Sequence, residues 1–77
     1  MTPKEAERKG IKLTKMFKSK HPDIIAHVDL IEGTDEIVIS FFWNRISVEK
    51  WSDAQTFRCK GIDYLNVLKM EIIPFFN

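Results

Sequence analysis

The sequence predicts a small α+β domain, ordered as N-terminal amphipathic helix, antiparallel hairpin extended to three or four strands, and C-terminal helix packed on the sheet. Three observations carry this expectation. A helix-capping pattern opens the chain, two runs of strict period-two alternation flank a polar tetrapeptide, and the last apolar stretch repeats at helical spacing. With 77 residues, 44% of them hydrophobic, the chain is expected to form one domain over 1–77. That composition is too apolar for a disordered chain.

The first helix starts at Thr2-Pro3-Lys4-Glu5, which supplies a hydroxyl acceptor at the cap, proline at the first helical position and glutamate at the third. It is expected to run to Lys18 or Lys20, because Pro22 disfavours helical geometry at His21. Gly10 inside it costs about 1 kcal/mol relative to alanine, and either permits close packing or marks a bend.

The hairpin follows. Ile24, Ala26, Val28 and Leu30 share one face of the first run, opposite Ile25, His27, Asp29 and Ile31; Ile37, Ile39, Phe41 and Trp43 share one face of the second. Glu32-Gly33-Thr34-Asp35 between them is the turn. The segment 45–60 reads two ways. Ile46 and Val48 alternate with Ser47 and Glu49, and Ser52-Asp53-Ala54 offers a turn before Gln55–Lys60, giving a third and a fourth strand. The other reading is a helix capped by Ser47 with Val48, Trp51 and Gln55 on one face; Thr56, Phe57 and Cys59, weak helix formers, favour strands. After Gly61, the spacing of Leu65, Leu68 and Ile72 predicts a helix that stops at Pro74.

In outline this order is similar to that of double-stranded RNA-binding domains and small toxin ribonucleases. The lysine-rich start of the last helix that such RNA binders use is absent, since 61–66 holds no cation, and an outline alone carries no function.

The formal net charge of +1 lacks the overall excess of a dedicated nucleic-acid binder, yet it conceals a sharp division. Residues 1–21 hold seven basic and two acidic groups, a net of +5; residues 22–77 hold five basic and nine acidic groups, a net of −4. At about 100° per residue, Lys4, Arg8, Lys12, Lys15 and Lys18 fall within an arc of about 120°, with Ala6, Leu13 and Phe17 opposite. Ile11 interrupts the cationic row. An apolar residue inside a charged rim is the layout of a contact surface. An acidic protein surface or nucleic-acid phosphates would complement it; a membrane surface would need the apolar face that Leu13 and Phe17 give to the core.

Chemistry is poorly provided for. His27 and Asp29 share a strand face, but one imidazole and one carboxylate do not make a zinc site. Ser19, Ser40, Ser47 and Ser52 lack a glycine-flanked elbow, and Gly10, Gly33 and Gly61 stand apart, so no phosphate-cradling loop is present. No catalytic residue, metal or cofactor is expected. The lone Cys59 favours a reducing, cytoplasmic compartment (host cytoplasm for a viral product) and reads as a buried hydrophobe. Neither a secretory signal nor a membrane-spanning segment is expected, since 1–10 is charged with no apolar segment behind it and no apolar run approaches about 18 residues. Phe42, on the face opposite Phe41 and Trp43, and the terminal Phe75 and Phe76 either complete the core or anchor a homodimer or partner.

The sequence is therefore expected to encode a small non-enzymatic binding protein, a regulator or inhibitor of the kind phages and mobile elements encode. It would dock on a larger protein through Lys4, Arg8, Ile11, Lys12, Lys15 and Lys18. The alternative is DNA or RNA binding through the same residues.

Overall fold

A computed structural model describes residues 1–43 and 55–76. Helix α1 spans Pro3–Phe17. Strands β1 (Ile24–Leu30), β2 (Glu36–Trp43) and β3 (Gln55–Lys60) form an antiparallel sheet in the order β1-β2-β3. A helical run completes the fold: a 3₁₀ turn over Gly61–Asp63, α2 over Tyr64–Val67, a π-helical stretch over Leu68–Ile72, and α3 over Ile73–Phe76. The α+β architecture is the one the sequence predicts, with three strands among the described residues. The strand or helix expected around Ile46 and Val48, and the turn at Ser52-Asp53-Ala54, lie outside the described residues.

Thr2 caps α1 as its sequence implies. Its hydroxyl accepts the Glu5 amide at 3.2 Å and donates to the Glu5 carboxylate at 3.2 Å. The helix ends at Phe17, one turn short of Lys20, and His21 N–H closes that end by donating to Phe17 C=O at 2.9 Å. The hairpin pairs Leu30 with Ile37 and Ile24 with Trp43. Gly33 takes φ +80° in its turn, a conformation that favours glycine. Thr34 locks that turn, donating its hydroxyl to Ile31 C=O at 2.9 Å and accepting Glu36 N–H at 3.1 Å.

Both helices lie on the same side of the sheet. Ile24, Ala26, Val28, Ile37, Ile39 and Phe41 face Leu13 and Phe17 of α1 and Tyr64, Val67, Leu68, Ile72 and Phe76 of the C-terminal run. Two expectations for that run need correction. Leu65 is exposed, and Tyr64 takes the core position in the series 64, 68, 72, 76. Pro74 does not stop the helix. The π stretch immediately before it, where Ile73 N–H donates to Leu68 C=O, widens the helix at the point where proline lacks a donor and crowds the preceding turn.

The contact between α1 and β1 involves backbone as well as side chains. In an antiparallel ladder, residues alternately bond to their partner strand and point away from it. Ile31 N–H donates to Glu36 C=O, so by alternation Ala26 points its N–H away from β2, toward the sheet edge. There it meets the Thr14 hydroxyl at 2.9 Å, which itself donates to Gly10 C=O at 2.9 Å. Gly10 lets the helix come this close: a Cβ there would lie 3.2 Å from Ala26 O. Close packing, not a bend, is its role. Thr14→Val should cost about 1–3 kcal/mol by orphaning the Ala26 amide, whereas Thr14→Ser should keep most of the stability. Urea denaturation of the two variants checks this, and equal midpoints would contradict it.

Candidate docking surface

α1 is sorted by face as its sequence requires. Ala6, Gly10, Leu13 and Phe17 are buried, while Lys4, Arg8, Lys12, Lys15 and Lys18 are exposed. Ile11 stands among these cations at 53% exposure. None of the five cations makes an ion pair within the described residues. Outside the row, Lys9 sits 4.7 Å from the centre of the Tyr64 ring, tying α1 to α2, and Arg58 holds Glu36 at 3.1 Å.

The three candidate aromatic anchors separate. Phe76 is buried against Phe17, Phe41 and His21, with ring centroids at 4.5, 4.8 and 5.3 Å, so it belongs to the core. Phe75 is half exposed, edge-on to Phe57 at 5.9 Å. Phe42 lies on the sheet face away from both helices, half-buried and edge-on to His27 at 5.7 Å. The C-terminal run therefore gives Phe42 no shelter. Sequence reasoning missed Ile62, Leu65 and Met70, which are exposed on the outer side of that run. Helical spacing alone did not single them out: Leu65, Leu68 and Ile72 form as good a series as Tyr64, Leu68 and Ile72, and the position of the sheet selects the second.

His27 and Asp29 are both exposed on the outer face, and no hydrogen bond joins them. Among the described residues no group of three or more His, Cys, Asp or Glu is placed to hold a metal ion, and no helix is long and apolar enough to cross a membrane. Cys59 is half-buried against the core, not fully buried. Burial, with Asp63 and Glu71 nearby, pushes its thiol above the ordinary range and so disfavours the nucleophilic thiolate. Burial also raises the Tyr64 phenol. In both cases the folded state holds its proton more tightly, so this contribution to stability is present at neutral pH. It fades as pH rises through the alkaline range where the two groups ionise.

A groove of about 620 Å³ runs beside the cationic row, between α1 and β1. Ile11 lies on its rim, and Glu7, Thr14, Ile25, His27 and Asp29 are among its walls. No family model matches this chain, and no curated protein or solved structure is significantly similar to it.

Proposed function

We propose that this chain is a small non-enzymatic binding protein that docks through α1 on the acidic surface of a larger protein, occluding a site there as a regulator or inhibitor. The observation that supports this reading is the cationic row around half-exposed Ile11, a row that makes no ion pair among the described residues. Like charges three and four residues apart repel, each pair destabilising a helix by about 0.2–0.5 kcal/mol. A row kept solely for solubility would have no need to be concentrated on one face without intervening carboxylates. A phosphate backbone would complement the cations but offers little apolar surface to Ile11, which favours protein over nucleic acid.

The same repulsion separates binding from stability. Lys12→Glu places a carboxylate beside Arg8, Lys9 and Lys15, and should raise stability by about 0.5–1 kcal/mol, or several degrees in melting temperature for a domain of this size. Binding should fall in the same variant. Affinity capture from cells with wild-type and Lys12→Glu/Lys15→Glu protein tests the docking reading, and an unchanged set of partners would overturn it. Titration with mixed-sequence duplex DNA tests the other reading. Five phosphate contacts would give a log–log salt slope of about −4.5, and no binding at low salt would eliminate it.

A further inference from the structure

We infer that the partner element is an amphipathic helix whose carboxylates lie along the cationic row while its apolar side chains seat in the groove between α1 and β1. This rests on the docking reading above and specifies the partner of that surface.

Ile11 connects the two features, standing in the middle of the row and on the rim of the groove. The groove side of α1, carrying Glu7 and Thr14, lies within about 100° of the cations, so a single helix about 10 Å wide can cover both. At about 620 Å³ the groove is in the size range of sites that bury a ligand. Its chemistry selects what enters. Ile11 and Ile25 offer apolar surface, and the Thr14 hydroxyl is already committed to Gly10 and Ala26. Glu7 and Asp29 bring negative charge to the walls and turn away an acidic side chain. Carboxylates are thus welcome on the row and excluded from the groove, which requires a partner acidic along one edge and apolar along the next.

The backbone excludes the other common mode. A partner strand cannot add to β1, because Gly10 packs on Ala26 and Val28 and Thr14 occupies the Ala26 amide. A helix laid in a groove by residues spaced three and four apart remains.

The probe is a random peptide library displayed on phage and selected against the full chain, followed by titration of a winning synthetic peptide into isotopically labelled protein. Selected peptides should combine Asp or Glu with apolar residues at three- and four-residue spacing, and should shift the amides of Ile11, Ile25 and His27. Ile25→Asp should weaken such a peptide at least tenfold. Asp29→Lys, a change at an exposed position, should tighten peptides carrying acidic residues on both edges at least fivefold. Peptides that shift only 12–18 and ignore both substitutions would overturn the groove inference while leaving the docking reading intact. Failure to select any acidic peptide, or binding of mixed-sequence DNA alone, would overturn both.

Discussion

Phe41→Ala should remove a large share of the stability of this fold. The Phe41 side chain is fully buried on the central strand, with rings of Phe17, Phe57 and Phe76 at 5.8, 6.0 and 4.8 Å. Those partners come from α1, β3 and the C-terminal run, so one truncation opens a void where every layer of the fold meets. Phe→Ala changes in such positions cost about 3–5 kcal/mol. At about 0.05–0.15 kcal/mol per residue, a chain of this length has roughly 4–12 kcal/mol in total. Phe75→Ala, half exposed and touching the same cluster from outside, should cost about 1 kcal/mol. Urea denaturation followed by circular dichroism reads both, and comparable midpoints for the two variants would contradict this account of the core.

Gly10→Val should be the most damaging change on α1 outside its apolar positions. Helix propensity alone argues for replacing Gly10, since alanine gains about 1 kcal/mol over glycine in a helix interior. The neighbouring strand argues against it. An added Cβ would meet Ala26 O at 3.2 Å, with His27 Cα and Val28 N both at 3.5 Å. These are backbone atoms of a strand held by β2, and they cannot swing aside as a side-chain tip would. Gly10→Ala should therefore be close to neutral. Valine adds two methyl groups in the same gap; overpacking costs about 1–3 kcal/mol, and the displaced helix also loses the Thr14 bond to Ala26. Hydrogen exchange at the Ala26 amide distinguishes this local cause from general loss of stability. Wild-type protection in Gly10→Val would mean that α1 does not approach β1 here.

Features dictated by neighbouring residues were legible in the sequence. The Thr2 cap, the hairpin with its turn around Gly33, β3 over Gln55–Lys60, and the division of α1 into cationic and apolar faces all follow from local spacing or turn chemistry. Features decided by contacts distant in sequence were not. The meaning of Gly10 depends on a strand 16 residues away in the chain. Leu65 and Tyr64 are adjacent apolar residues, and only the placement of the sheet chooses which is buried. Phe75 and Phe76 pose the same ambiguity, resolved in favour of Phe76 by the space between Phe17 and Phe41. The cationic half of the candidate surface was visible in the sequence. Its groove was not, because it exists only once α1 is laid along β1.

The π stretch at Leu68–Ile72 determines how that space is filled. Counted along the chain, a π turn is an α-helix with one residue inserted, and each inserted residue rotates everything beyond it by about 100°. Met70, at 76% exposure, contributes almost nothing to the core, yet it is one of the residues that make up the extra count. Without that surplus residue, Pro74 would press on a regular α-helical turn and the two terminal phenylalanines would swing around the axis, withdrawing Phe76 from between Phe17 and Phe41. The aromatic cluster at the centre of the fold is thus registered by the length of a solvent-facing segment: the spacer matters more than the side chain it carries.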